Sequence, residues 1–299
     1  MAIPVDKRNA GKMGAAQDSQ VGVIRIEGTI TGSTSQGWMT TQGSAGQILE
    51  QLRAAQKDTG VKAVVIRVNS PGGSAAAAQE IVEEIQRLRQ SGKVVVVSMG
   101  DMAASAGYWI AAQADTVVAN PTTLTGSIGV IMQWENLEEL FKKLGISSEV
   151  IKSGAFKDIG SATRPLTEEE RELLQGLVDD TYQQFFDDVA LRREGKITRE
   201  RLAQVADGRV FTGRQAKELG LVDELGNFYD AVDKAGALAG IEGEPKLKEY
   251  STETALERFF SGLSSMAPGG GVSDLTRGQW WPLLWKGVFN EPGKSYRVE

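Results

Sequence analysis

The stretch KVVVVSMGDMAASAGYWIAAQADTVVANP, residues 93–121, decides the fold of this chain. Its opening run, residues 93–100, is almost continuously apolar and β-branched, which predicts a strand buried on both faces, as in a parallel sheet. A short helix is predicted over residues 105–114, and residues 115–121 predict the next strand. A strand, a helix and a second strand in such close succession are typical of α/β proteins.

The same alternation extends on both sides of this stretch. Strands are predicted at 21–30, 61–69, 126–132 and 147–154, and helices at 45–57, 75–90 and 135–144. The second half is more helical, with a long helix at 167–194 and shorter ones at 214–219 and 228–239. We therefore expect an α/β domain in which helices cover a largely parallel sheet.

The chain divides into three predicted parts. Residues 1–20 are polar, lack the apolar core of a signal peptide and predict a flexible leader. Residues 21–240 form the predicted α/β domain. Residues 241–299 form a helical C-terminal extension, with a helix at 251–263, a Gly-rich linker at 267–274 and the Trp-rich segment QWWPLLWKGVF at 279–289.

The composition excludes several kinds of active site. The 299 residues include no histidine and no cysteine, so Ser-His-Asp triads, cysteine nucleophiles, disulfides and His- or Cys-ligated zinc are excluded. A hydrolase of this composition must take its base from Lys, Asp, Glu, Tyr or a terminal amine. No acidic cluster predicts a metal site, and no cofactor is expected. The net charge of −6, with mixed signs, argues against a nucleic-acid partner, and no apolar window is long enough to predict a membrane-spanning helix.

Ser105 stands at the centre of residues 93–121. It follows a buried strand, opens a helix and has small neighbours, Ala103, Ala104, Ala106 and Gly107, that leave room for a substrate backbone. This is the placement of a nucleophile on a strand-to-helix turn, although the local pattern is not G-x-S-x-G. The alternative is that Ser105 is a helix N-cap. This stretch alone favours the cap.

Two further segments could supply an oxyanion site and a general base for Ser105. In SPGGS (70–74), Gly72 and Gly73 can present free N–H groups to an oxyanion, or can simply form a tight turn. Lys157 lies among Gly, Ala, Phe and Ile in KSGAFKDIGS (152–161). A lysine enclosed by apolar groups is pushed toward the neutral amine and can serve as a base, whereas most lysines are ordinary surface residues.

Four stretches together carry a family resemblance. They are VIRVNSPGGS (65–74), SMGDMAASAGYWIAAQADTVVANPTTLTGSIGV (98–130), IKSGAFKDIGSATRPLT (151–167) and GRVFTGRQAKELGLVDELG (208–226). Over most of residues 21–239 the chain resembles the bacterial signal peptide peptidase A family. Its members are Ser–Lys proteases of the Clp-protease/crotonase-like fold, with repeated β-β-α units.

The resemblance implies roles for particular residues. It implies that Ser105 is the nucleophile, Lys157 the general base, Ser127 the residue that orients the lysine, and Gly72 the oxyanion donor. We add Gly73 and the N–H of Ala106 as further oxyanion or substrate-binding groups.

The resemblance also implies a substrate, a location and an assembly. The substrates would be remnant signal peptides at the cell membrane, with the catalytic part outside the cytoplasm. The partner would be the chain itself, in a ring-shaped homo-oligomer, an octamer, whose neighbouring protomers share serine and lysine. Many members carry an amino-terminal transmembrane anchor, whereas this chain begins with a polar leader, so two alternatives stay open: the anchor has been removed, or the protein is a soluble member.

Three alternatives remain from the sequence. One is a crotonase-like acyl-CoA enzyme, which would leave Ser105 and Lys157 unexplained. Another is an inactive scaffold. The third is a related Ser–Lys protease that cuts a membrane-scaffolding protein.

Overall fold

The computed structural model describes residues 20–32 and 44–250. The strands are β1 (Gln20–Glu27), β2 (Val61–Ser70), β3 (Val94–Ala104), β4 (Thr116–Ala119), β5 (Leu124–Gly126), β6 (Val210–Thr212), β7 (Glu224–Leu225) and β8 (Lys246–Glu249). The helices are α1 (Ala45–Lys57), α2 (Ala75–Gln90), α3 (Ala106–Ala111), α4 (Glu138–Lys143), α5 (Glu168–Arg192), α6 (Arg199–Ala203), α7 (Gly213–Glu218) and α8 (Phe228–Leu238).

The strands form one mixed, mostly parallel sheet. Its main path runs β6-β5-β3-β2-β1-β8, while β4 pairs with the first half of β3 and with β7. Every pairing is parallel except that of β5 with β6. β3 thus pairs with β2 along one edge, and with β4 and then β5 along the other. Its carboxyl end, which delivers Ser105, therefore lies inside the sheet.

Helices cover both faces of this sheet. The larger apolar cluster joins alternate residues of β1, β2 and β3, such as Ile24, Ile66 and Val97, to α1, α2, α3 and α5. The smaller cluster joins the intervening residues, such as Val65 and Val96, to α8. Side chains alternate between faces along a strand, which explains why these strands are apolar at successive positions.

The predicted order of strands and helices up to β4 is confirmed, and α1 and α2 have the predicted bounds. Two predicted strands are wrong. At 126–132 only Gly126 belongs to a strand, and residues 147–154 form none. The apolar side chains of this second segment, Val150 and Ile151, are exposed. A short segment with β-branched residues becomes a strand only where a neighbouring strand satisfies its backbone groups.

The sheet continues past Ala239, because β8 pairs with β1. The predicted leader lies almost wholly outside the described residues, as do the predicted helix at 251–263, the linker and the Trp-rich segment. Within the described ranges, no helix is long and apolar enough to cross a bilayer.

A buried ion pair fixes the carboxyl end of α5 against the sheet. The Arg193 side chain is 1% exposed and donates to both carboxylate oxygens of Asp223, at 2.9 and 3.0 Å. Asp223 also accepts a hydrogen bond from the N–H of Val117 in β4. Because an unpaired buried charge is costly, this pair holds α5 in place, and α5 lines the cavity described below.

Candidate active site

Ser105 joins β3 to α3 in a strained backbone conformation. Its φ is 53° and its ψ is −124°, and its side chain makes no capping hydrogen bond. Ser105 thus occupies the N-cap position of α3, but its hydroxyl does not cap the helix. A non-glycine residue in such a conformation costs about 1–3 kcal/mol, and such residues cluster at functional sites. This geometry matches the sharp strand-to-helix turn that exposes a nucleophile.

Backbone hydrogen bonds hold Ser105 in this conformation. Its N–H donates to the carbonyl of Gly126 at 2.9 Å, and its carbonyl accepts from Tyr108 and Trp109. Gly126 is followed by Ser127, which also has a positive φ, 50°, and whose N–H donates to Arg209 at 2.8 Å. The structure thus links the two predicted site serines through adjacent backbone groups.

The Gly-Gly turn lies directly against Ser105. A Cβ built on Gly72 would stand 2.8 Å from the Cβ of Ser105, and one on Gly73 would stand 2.1 Å from the carbonyl oxygen of Ile30. Both glycines have positive φ, 110° and 152°. The close approach of backbone to backbone therefore requires glycine at both positions.

The N–H groups around Ser105 differ in their hydrogen bonding. The amide of Gly72, the predicted oxyanion donor, donates to the buried hydroxyl of Ser70 at 3.1 Å. The amides of Gly73 and Ala106 have no acceptor among the described residues. Preorganised, unoccupied N–H groups of this kind are what an oxyanion hole needs. Sequence reasoning missed Ser70, whose position just before the two glycines was the available signal.

A cavity of about 610 Å³ opens beside Ser105. Its walls include Ser127 and apolar side chains from distant parts of the chain, notably Trp109 and Phe185, whose rings stack 4.7 Å apart. The described residues that line it are Pro71, Gly73, Ser74, Ala75, Ser105, Ala106, Trp109, Ser127, Gly129, Val130, Ile131, Met132, Thr181, Phe185 and Gly208. None of these lining residues has an acidic or basic side chain, so the described part of the cavity wall supplies no general base.

Lys157 is not among these lining residues. It lies in a turn at 155–160, and its side chain is exposed. The expectation that apolar groups enclose this lysine is wrong for the single chain. The serines and glycines of the predicted site are brought together, whereas the predicted base is not brought to them.

The described residues offer no metal site, since no group of three or more acidic side chains lies close enough to hold an ion. A second cavity, of about 540 Å³, lies at the carboxyl end of α5, and none of the described residues that line it is a predicted site residue.

Comparison with known proteins agrees with this architecture. The model of peptidase family S49 matches residues 87–242, just over half of the chain, and the Clp protease model matches residues 35–125. A solved structure of a mutant of the 1510-N membrane-bound stomatin-specific protease superposes with a TM-score of 0.52. The superposition covers 79% of this chain and 99% of that chain at 16% identity. At this identity the likeness shows the fold, and the Clp-protease-like fold expected from the sequence is confirmed.

Two relatives are similar in sequence. A putative protease of Synechocystis sp. is 42% identical over 257 residues, which cover 84% of this chain and 88% of that protein. A putative signal peptide peptidase SppA of Enterococcus faecium is 39% identical over 185 residues, 62% of this chain. The match spans only 53% of the Enterococcus protein.

Fold, family match and relatives together define a serine peptidase. The chain belongs to peptidase family S49, and the resemblance to signal peptide peptidase A seen in its motifs is confirmed.

Proposed function

We propose that this peptidase works with a Ser–Lys dyad in which Ser105 is the nucleophile and Lys157 the general base. The observation that carries the proposal is the strained Ser105, whose hydroxyl makes no capping hydrogen bond and which lines one cavity together with Gly73 and Ala106. With no histidine in the chain, lysine is the side chain best suited to take the serine proton.

The steps follow from these groups. Neutral Lys157 removes the proton as the Ser105 oxygen attacks a peptide carbonyl. The amides of Gly73 and Ala106, with the turn at Gly72, stabilise the oxyanion, an effect worth about 3–4 kcal/mol. Protonated Lys157 then donates to the leaving amine, and water hydrolyses the acyl-enzyme. Ser127 would hydrogen-bond the lysine and orient it.

We also propose that the lysine reaches the serine from a neighbouring copy in a ring-shaped homo-oligomer. Two observations support this. The described residues that line the cavity at Ser105 include no acidic or basic side chain, and a group of large apolar side chains stays exposed on the single chain. Its members are Ile131, Met132, Trp134, Leu140, Leu144, Ile146, Val150, Ile151, Phe156, Leu173 and Leu177. Nine of the eleven lie within residues 131–156, so this segment is the proposed contact with the neighbouring copy.

The proposed substrates are remnant signal peptides or other short hydrophobic peptides at the cell membrane. The apolar cavity walls, Trp109, Val130 and Phe185, suit apolar side chains. The name of the Enterococcus relative points the same way. Comparing the cleavage of signal-peptide fragments with the cleavage of a membrane-scaffolding protein distinguishes the two candidate substrates. Titration with an acyl-CoA tests the crotonase-like alternative.

Subunit mixing tests the dyad and its sharing together. Ser105→Ala and Lys157→Ala should each abolish hydrolysis of an apolar fluorogenic peptide, while the control Lys143→Ala, on α4, stays active. A refolded equimolar mixture of the two inactive variants should recover about one quarter of the wild-type sites, because one site in four combines an intact serine with an intact neighbouring lysine. Activity in either single variant would refute the dyad, and no recovery in the mixture would refute the sharing.

A further inference from the structure

The loop that carries Lys157 is tied down by four charged side chains, which we call the charge network: Lys152, Asp158, Arg164 and Glu170. Arg164 donates to both carboxylate oxygens of Asp158, at 2.8 and 3.0 Å. The same guanidinium donates to Glu170 at 2.8 Å. The ammonium of Lys152 lies 2.6 Å from Asp158. Paired guanidinium–carboxylate hydrogen bonds of this kind fix direction as well as distance.

The network connects an irregular loop to a rigid helix. Residues 151–166 contain no helix or strand. Glu170 belongs to the first turn of α5, is buried, and completes a capping box with Thr167. Arg164 therefore bridges the residue next to Lys157 to a fixed helix end. The side chain of Lys157 makes no hydrogen bond or ion pair with any described residue. Its position therefore depends on the backbone of the loop that carries it.

Both carboxylates of the network stay ionised under ordinary conditions. Hydrogen bonds from Arg164, and then from Lys152, hold the pKa of Asp158 far below its usual range. Arg164 and the amide of Thr167 lower the pKa of Glu170 to about 2. Because hydrogen bonds to Glu170 and to Asp158 also raise the pKa of Arg164, the links from Arg164 to both carboxylates persist at neutral and alkaline pH.

We propose that Arg164 is a positioning residue for Lys157. It holds Asp158 against α5 and thereby fixes the position from which the adjacent Lys157 reaches the catalytic serine. The inference rests on the proposed role of Lys157. Lys157 does not line the cavity that holds Ser105, so its position depends on the loop that carries it. Misplacement of a catalytic group by about 1 Å can cost about 100-fold in rate.

The main test compares Arg164→Gln with Arg171→Gln. Arg171 is a matched control because it lies nearby on α5, is well exposed, and makes only a 3.9 Å pair with Glu168. On a fluorogenic peptide, Arg164→Gln should lower kcat about 10- to 100-fold with KM within twofold, and Arg164→Lys should recover part of the loss. Arg171→Gln should match the wild type. Wild-type kcat in Arg164→Gln would overturn the proposal.

A double variant separates positioning from general weakening. If Arg164 acts through Lys157, then Arg164→Gln added to Lys157→Ala should not further slow the labelling of Ser105 by a fluorophosphonate. A further loss would contradict the proposal. If Lys157→Ala alone labels and hydrolyses normally, the proposed dyad has failed instead, so the two failures are distinguishable.

Asp158→Asn carries the test if Arg164→Gln does not fold. It loosens the loop but leaves the Arg164–Glu170 pair and the capping box of α5 in place. The same selective loss of kcat is expected, at unchanged oligomer size and melting temperature. An unchanged kcat in this variant would overturn the proposal.

Discussion

Gly72→Ala tests the geometry around the nucleophile most directly. The new methyl group would lie 2.8 Å from the Cβ of Ser105 and 3.1 Å from both the carbonyl of Ala104 and the amide of Ala106. Ordinary contact begins at 3.4 Å, so Ser105 must retreat by about 0.6 Å or more (3.4 − 2.8). Displacements approaching 1 Å cost about 100-fold in rate, or about 2.7 kcal/mol of transition-state stabilisation. The φ of 110° adds backbone strain of about 1–3 kcal/mol to the folded state.

The assay pairs kcat for a fluorogenic peptide with the free energy of unfolding in urea. Gly92→Ala is the matched control, because Gly92 also has a positive φ, 87°, but a Cβ there would meet nothing within 4 Å. The control should lose stability and keep its kcat, whereas Gly72→Ala should lose both. If folded Gly72→Ala keeps kcat within threefold of the wild type, the Gly-Gly turn does not shape the site as described.

Two further predictions concern hydrogen bonds that the structure revealed. Ser70→Ala leaves the amide of Gly72 without its buried acceptor, so the free energy of unfolding should fall by about 1–3 kcal/mol. The kcat should also fall, about tenfold. A fall in stability with unchanged kcat would show that Ser70 has only a structural role. Asp58 accepts hydrogen bonds from Lys248 and from Tyr250, which lower its pKa to about 2. Its stabilisation is therefore full above about pH 4, the usual carboxyl range, and is lost as the pH falls toward 2. The free energy of unfolding of Asp58→Asn should lie below that of the wild type at pH 6, and the difference should shrink as the pH falls from about 4 to 2. Urea midpoints that differ equally at pH 6 and pH 2 would contradict this.

Local patterns carried much of the fold. The buried runs of β2 and β3, the helical spacing of α1 and α2, and the glycines that follow β2 are properties of neighbouring residues, so each could be found without tertiary information. The strand predicted at 147–154 shows the limit of this approach. Its β-branched residues, Val150 and Ile151, are the same whether the segment pairs with a strand or stays at an exposed surface, and only the presence of a partner strand distinguishes the two.

The sequence by itself determined the α/β order, the absence of any histidine base, and the placement of Ser105 at a strand-to-helix turn. Tertiary structure decided the rest. The strained conformation of Ser105 depends on a hydrogen bond to Gly126, the amide of Gly72 is taken by Ser70, and Phe185 reaches the cavity from α5. Lys157 is left exposed on a loop tied to α5 by Arg164. These features arise from contacts between residues far apart in the chain, and neither periodicity nor composition encodes such contacts.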